Sequence, residues 1–103
     1  MPVVTVTAPA LDCADDELRA LGQVAAEVAA ALGLTAEDVH VCCVHSATGV
    51  LGRRAVAPWP VVVLHGSRRS EVEMDAAAEG AREVVARTWT RPAAEVWVQW
   101  LVA

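Results

Sequence analysis

The stretch PVVTVT at residues 2–7 decides how the rest of the chain is interpreted. Valine and threonine favour extended backbone, and a proline is tolerated at the first position of a strand, above all on an edge strand. The stretch PVVVLHG at residues 60–66 repeats this pattern at an offset of 58 positions. We therefore expect each stretch to form a strand. Pro2 is then either the first residue of an edge strand, with no further role, or a residue that takes part in catalysis.

A second pair of similar stretches follows the first at nearly the same offset. The segment TAEDVHVCCV at residues 35–44 resembles PAAEVWVQWL at residues 92–101, with an offset of 57. In each segment a short turn precedes a run of β-formers, which predicts another strand. The chain is therefore interpreted as one pattern used twice.

Helices are predicted between the two strands of each unit, over residues 12–33 and 70–88. Acidic residues crowd the first turn of the first helix and Gly33 ends it, while Ser70 and Glu73 form a capping box at the start of the second. The predicted buried stripe of the first helix comprises Leu18, Leu21, Val28 and Leu32.

These elements predict an α+β fold in the order β-α-β-loop-β-α-β, within a single domain of residues 1–103. Pseudo-repeats cover residues 2–45 and 60–103, and an irregular loop, residues 45–59, links them. Because a crossover helix joins parallel strands, two such units form a four-stranded mixed sheet with two helices on one face. The second and fourth strands carry apolar residues at both parities, so the other face also needs burial. Another subunit is expected to cover it.

The composition excludes several classes of function. A net charge of −5 provides no basic surface for nucleic acid, and no apolar run approaches the roughly 20 residues that span a bilayer. Three cysteines without a CxxC motif indicate neither a disulfide framework nor a zinc motif. We expect a cytoplasmic protein with no membrane or nucleic-acid partner, no metal and no cofactor, in which His40, His45 and His65 are structural.

The proline at position 2 has a chemical consequence if Met1 is removed, because its nitrogen then becomes a free secondary amine. An α-amino group has a reference pKa of about 7.7–8.0, and apolar surroundings or a nearby cation lower it. Such an amine can act as a base at neutral pH. With Met1 retained, the same nitrogen is an amide and has no such role.

The repeated β-α-β pattern and the proline at position 2 resemble the tautomerase superfamily, which includes 4-oxalocrotonate tautomerase and macrophage migration inhibitory factor. The resemblance covers nearly the whole chain, and Arg69-Ser70 in HGSRRSE matches an arginine-serine motif that leads into the helix in that family. It implies a fused two-repeat form that assembles as a homotrimer, with three sheets lining a central barrel.

The resemblance also implies a site. Pro2 is the expected catalytic base of a tautomerase that acts on a small 2-oxo carboxylic acid, and Arg68 or Arg69 is expected to bind the carboxylate of that substrate. Trp97 and Gln99 correspond to last-strand residues that help to form the neighbouring subunit's pocket in the migration inhibitory factor branch.

Departures from the family pattern leave other functions open. Leu34 and His40 stand where family members have a pocket lysine and a second-strand arginine, and the sequence does not decide whether Arg53 and Arg54 reach the pocket. The alternatives are a decarboxylase or hydratase with the same fold, a non-catalytic trimeric binding protein, and a ferredoxin-like regulatory domain with the same order of elements.

Overall fold

The computed structural model describes residues 1–103. Short 3₁₀ turns precede the second and last strands, at Ala36–Asp38 and Ala93–Glu95. The strands and helices along the chain are β1 (Val3–Ala8), α1 (Ala14–Leu32), β2 (His40–His45), β3 (Gly49–Leu51), β4 (Arg54–Val56), β5 (Val61–Gly66), α2 (Glu71–Thr88) and β6 (Trp97–Val102).

The main sheet has four strands in the order β2-β1-β5-β6. β1 is parallel to β2 and β5 is parallel to β6, whereas the central pair, β1 and β5, is antiparallel. Both helices pack on one face, so the predicted α+β fold with a mixed sheet is confirmed. The ferredoxin-like alternative is wrong, because its split βαβ units would separate strands that here are directly paired.

The core lies between the sheet and the helices. Val4 and Val6 of β1 and Val62 and Leu64 of β5 are completely buried at the centre of the sheet. The helices bury Ala20, Val24, Val28, Ala29 and Leu32 from α1 and Ala77, Ala81, Val84 and Val85 from α2.

Neither helix combines the length and the apolar character that a membrane-spanning helix needs.

The buried stripe of α1 departs from the sequence prediction at its first turns. Val28 and Leu32 are buried as predicted and Leu21 is half-buried, but Leu18 is 67% exposed. Ala20 takes the inward position instead, since each residue turns the helix by about 100° and Leu18 is about 200° away from Ala20. The prediction placed the larger, more apolar Leu18 in the core, but the helix turns Ala20 inward and Leu18 outward.

Hydrogen bonds at the element boundaries recur between the two halves of the chain. α1 ends at Gly33, which adopts the left-handed φ of 68°. The residue that caps α2, Trp89, has φ −91°, and the left-handed residue, Thr90 with φ 53°, follows it. Before the second strand of each half, His40 N–H donates to the Pro2 carbonyl (3.1 Å) and Trp97 N–H donates to the Pro60 carbonyl (3.1 Å). After it, Ser46 N–H donates to the Ala8 carbonyl (3.0 Å) and Ala103 N–H donates to the Gly66 carbonyl (2.7 Å). In both comparisons the donors are 57 residues apart.

The segment 45–59 is not the irregular loop that the sequence predicts. It contains an antiparallel hairpin in which β3 pairs with β4. Gly52 and Arg53 form its turn, and Gly52 adopts φ 64°, the positive value that a two-residue hairpin turn requires at its first position. Strands of three residues flanked by glycine and proline give too short an alternation to be seen in the sequence.

The sheet face opposite the helices, here called the open face, has no element of the same chain over it. Its side chains alternate with the core residues, because successive residues of a strand point to opposite faces. The exposed apolar residues on this face are Val3, Val44, Trp97 and Leu101. The helices therefore cover one face of the sheet only, and apolar side chains on the other face stay exposed in a single chain, as the sequence predicts.

Candidate active site

Pro2 lies at the centre of the sheet rather than at its edge. It immediately precedes β1, which has β2 on one side and β5 on the other, so the edge-strand interpretation is wrong. The Pro2 carbonyl accepts a hydrogen bond of 3.1 Å from the backbone N–H of His40. Its ring is buried against Gly66, where an added Cβ would lie 3.6 Å from the Pro2 Cα and 3.7 Å from the Pro2 Cβ. The absence of a side chain at Gly66 therefore makes room for the proline ring.

Trp100 forms the second wall beside Pro2. Its Cζ2 atom would lie 3.4 Å from the same added Cβ at Gly66, so the indole and the proline ring converge on one space. The indole N–H of Trp100 is shielded from solvent and has no hydrogen-bond partner. An unpaired buried donor costs about 1–3 kcal/mol. The sequence predicts a site role for Trp97 of this strand, whereas the tryptophan near Pro2 is Trp100, on the opposite face of β6.

The two predicted arginines follow β5 at the end that lies beside Pro2, but they have different surroundings. Arg69 donates a hydrogen bond of 3.2 Å to the carbonyl of Leu32, at the C-terminal end of α1, and lies 3.9 Å from the Glu73 carboxylate. Its charge therefore stabilises the helix end, where carbonyl groups lack partners. Arg68 is exposed and has neither an ion pair nor a hydrogen bond, two residues after Gly66.

Trp97 and Gln99 are not brought to Pro2 within one chain. Both lie on the open face of β6, and Trp97 pairs with Val61 at the far end of β5. Val102 pairs with Gly66 beside Pro2, which puts Trp97 about 16 Å away along the strand at about 3.3 Å per residue. The Trp97 side chain is 66% exposed.

The other arginines and histidines singled out from the sequence lie at the surface. Arg53 is in the hairpin turn and Arg54 begins β4, and both are exposed without an ion pair. His40 and His65 are also exposed and flank Val3 on the open face. None of these four side chains has a contact that assigns it a role at Pro2.

The surface of a single chain has three concavities, and Pro2 lines none of them. The largest, about 600 Å³, includes Trp97 and Arg82. The Arg82 guanidinium already donates a hydrogen bond of 3.3 Å to the Val96 carbonyl and forms an ion pair with Glu79. Within a single chain, Pro2 and one aromatic side chain lie close together, but no concavity encloses them.

A cluster of polar side chains lies at the opposite end of β1. The Nε2 atom of His45 is 2.8 Å and 2.9 Å from the two carboxylate oxygens of Glu17, and the Cys43 thiol is adjacent. The hydrogen bond from His45 lowers the pKa of Glu17, while burial and then the nearby Glu17 charge raise the pKa of Cys43 to about 11. This cluster was not predicted from the sequence, although the Cys-x-His spacing in a strand places both side chains on one face.

Comparisons with known proteins give similarity in structure only. No family model and no curated protein matches the chain. A structure of Pt0534 inactivated by 2-oxo-3-pentynoate is 20% identical over 98% of this chain and 85% of that chain, with a TM-score of 0.87. A wild-type asymmetric trimer of fused 4-OT (F6) is 16% identical over 98% and 85%, with a TM-score of 0.86.

A third similar structure belongs to the other branch that the sequence resembles. It is a macrophage migration inhibitory factor-like protein from Entamoeba histolytica, 9% identical over 99% of this chain and 88% of that chain, with a TM-score of 0.83. At sequence identities this low, the similarity shows a shared fold but not a shared reaction. The chain has the fold of the tautomerase superfamily.

Proposed function

We propose that this protein is a cofactor-independent tautomerase that uses Pro2 as a general base on a small 2-oxo carboxylic acid and works as a homotrimer in the cytoplasm. The observation that carries the proposal is the position of Pro2, which is buried at the centre of the sheet against Gly66, with Trp100 bordering the same glycine from the next strand. A proline needed only to open a strand does not require a glycine opposite it or an unpaired indole N–H beside it.

The proposed reaction is a proton transfer in two steps. After Met1 has been removed, the lone pair of the Pro2 nitrogen accepts a proton from the enol oxygen or from the carbon next to the 2-oxo group. The electrons left behind form an enolate, which can be protonated on carbon or on oxygen. The protonated amine returns the proton to the carbon if it came from the enol oxygen, and to the oxygen if it came from the carbon. No atom is gained or lost, and general acid–base catalysis of this kind contributes on the order of 10²–10⁴ in rate.

Arg68 is the proposed ligand of the substrate carboxylate. Its guanidinium is free, whereas that of Arg69 is engaged with Leu32 and Glu73 and adds positive charge from a fixed position. A guanidinium binds a carboxylate through two parallel hydrogen bonds and so fixes its orientation. The charge also favours the anion that develops as the proton leaves the substrate.

The indole N–H of Trp100 is the proposed donor to the developing enolate oxygen. The Cζ2 atom of the same ring borders the space above Gly66 that Pro2 also borders, and the N–H has no partner within the chain. A donor already in place for a charge that appears only during the reaction lowers the barrier without reorganisation. Binding of substrate would also supply the hydrogen bond that this buried group lacks.

The homotrimer is proposed because a single chain leaves both the site and the open face incomplete. Trp97 and Gln99 are too far from Pro2 of their own chain, but they are exposed and available to a neighbouring copy. The apolar side chains of the open face are buried in such an assembly. The asymmetric trimer of fused 4-OT is a precedent for this arrangement in the same fold.

Replacing Arg68 by alanine is expected to lower kcat/KM about 10–100-fold, because a charge-assisted hydrogen bond contributes about 1.5–3 kcal/mol. The measurement is the ketonisation of the enol form of an aryl pyruvate, followed by its ultraviolet absorbance. Arg19→Ala is the control, since Arg19 lies on α1 and pairs with Asp16 at 2.9 Å. Equal kcat/KM for Arg68→Ala and wild type would contradict the assignment of Arg68.

Replacing Trp100 by phenylalanine keeps an aromatic ring but removes the N–H, and we expect kcat to fall by about 10² with little change in KM. The same assay measures both constants, and Trp59→Phe, in the segment after the hairpin, is the matched control. A rise in KM at unchanged kcat would show that Trp100 only packs against the substrate, and the proposed donor role would then be wrong.

The native mass should be three times the 10.8 kDa of one chain. Trp97→Asp is expected to give single chains, because it places a charge in an interface on the open face. Val72→Asp, which changes a 79% exposed valine on α2, should leave the trimer intact. Native mass spectrometry distinguishes these species, and a wild-type protein that runs as a single chain would refute the assembly.

A further inference from the structure

We propose that Glu17, Cys43 and His45 form a binding site for a zinc ion, with a fourth coordination position open to solvent. One donor atom from each of these side chains lies within 4.8 Å of the other two. The sequence predicts no metal, because its adjacent cysteines do not form a CxxC or another short zinc motif. The three ligands instead come together through the fold.

The site is built from two elements that the core holds in place. Glu17 is in the first turn of α1, and Cys43 and His45 lie two residues apart on the helix-facing side of β2. The backbone N–H of Leu11 donates a hydrogen bond of 3.4 Å to the Glu17 carboxylate. The positive end of the α1 dipole would disfavour a cation here, but Asp15 and Asp16 in the same turn offset it.

The second half of the chain provides an internal comparison. At the positions 57 residues later, Met74, Trp100 and Val102 replace Glu17, Cys43 and His45. The fold therefore forms at these positions without a carboxylate, a thiol or an imidazole. The fold does not require a carboxylate, a thiol and an imidazole at these positions. Their presence together in the first half therefore points to a bound ligand.

The donor set fits zinc better than the other common divalent cations. Zinc binds thiolate, imidazole and carboxylate, whereas magnesium and calcium prefer oxygen ligands only. Tetrahedral zinc at its usual bond lengths places its ligand atoms roughly 3.3–3.7 Å apart. The Glu17 and His45 atoms, now 2.8 Å apart, need to separate by a small side-chain movement.

Charge and access also suit the proposed ion. Cys43 loses its proton to solvent when it coordinates, so the thiolate and the Glu17 carboxylate together balance the two positive charges of zinc. The His45 side chain is 51% exposed and that of Glu17 is 16% exposed. An ion at this position can therefore enter from solvent and keep a water molecule as its fourth ligand, as three-ligand zinc sites do.

The zinc site and Pro2 lie at opposite ends of β1. His45 pairs with Ala8, the last residue of β1, whereas Pro2 immediately precedes the first. The inference goes beyond the proposed tautomerase function and does not depend on it. A protein that binds zinc here without tautomerase activity, or the reverse, would separate the two.

Titration calorimetry of Zn²⁺ into the reduced wild-type protein is expected to give one ion per chain. Cys43→Ser and His45→Asn should each bind about 100-fold more weakly. Cys42→Ser and His40→Asn are the controls, because both residues lie on the open face, where Cys42 contacts the Thr5 hydroxyl at 3.7 Å. His45→Asn changes an exposed side chain, so it tests the site even if Cys43→Ser folds poorly.

A second readout identifies the ligands directly. Co²⁺ in the wild-type protein should show thiolate-to-metal charge transfer and the intense visible bands of tetrahedral cobalt, and both should vanish in Cys43→Ser. Zn²⁺ should also raise the melting temperature of the wild type but not of His45→Asn. Absence of stoichiometric Zn²⁺ binding, or binding that Cys43→Ser and His45→Asn leave unchanged, would overturn the proposal.

Discussion

The antiparallel pairing of β1 with β5 is the constraint on which the rest of the structure depends. It joins the two βαβ units into one sheet, with Val3 opposite His65 and Thr7 opposite Val61. Because the strands run in opposite directions, the start of each lies beside the end of the other, which places Pro2 against Gly66. A slip of one residue would turn the core valines to the open face, so burial fixes this register strongly.

The same pairing creates two ends with different chemistry. Where β5 ends, the chain offers Pro2, a free Arg68 and the unpaired indole N–H of Trp100. Where β1 ends, it offers the Glu17, Cys43 and His45 cluster. Pro60, the counterpart of Pro2, lies within the chain and its nitrogen is always an amide. The two halves therefore share hydrogen-bonding geometry but cannot share a reaction.

Local patterns predicted most of the fold. The capping box of Ser70 and Glu73, the end of α1 at Gly33 and the four long strands are all present. The repeat also predicted a mixed sheet of two parallel pairs, but not which strands join the pairs, because two parallel pairs can be joined through more than one combination of strands. The hairpin within residues 45–59 was not, since strands of three residues provide too little alternation to recognise.

The site was less predictable because it depends on contacts between distant parts of the chain. The sequence named Pro2 and the arginines after β5, but it could not show that Leu32 engages Arg69 and leaves Arg68 free. Nor could it show that Trp100 rather than Trp97 neighbours Pro2, because that depends on strand parity and on the room above Gly66. Glu17 and His45 are 28 residues apart and meet only through the packing of α1 on β2.

The central claim is that Pro2 carries a free, nucleophilic amine, and intact mass before and after treatment with 2-oxo-3-pentynoate tests it most directly. Conjugate addition of a secondary amine to the alkyne has no leaving group, so the adduct carries the whole mass of the reagent. We predict a protein that lacks Met1 and gains a single adduct, located on Pro2 by peptide mapping. Retention of Met1, or a Pro2 that the reagent leaves unmodified, would contradict the account.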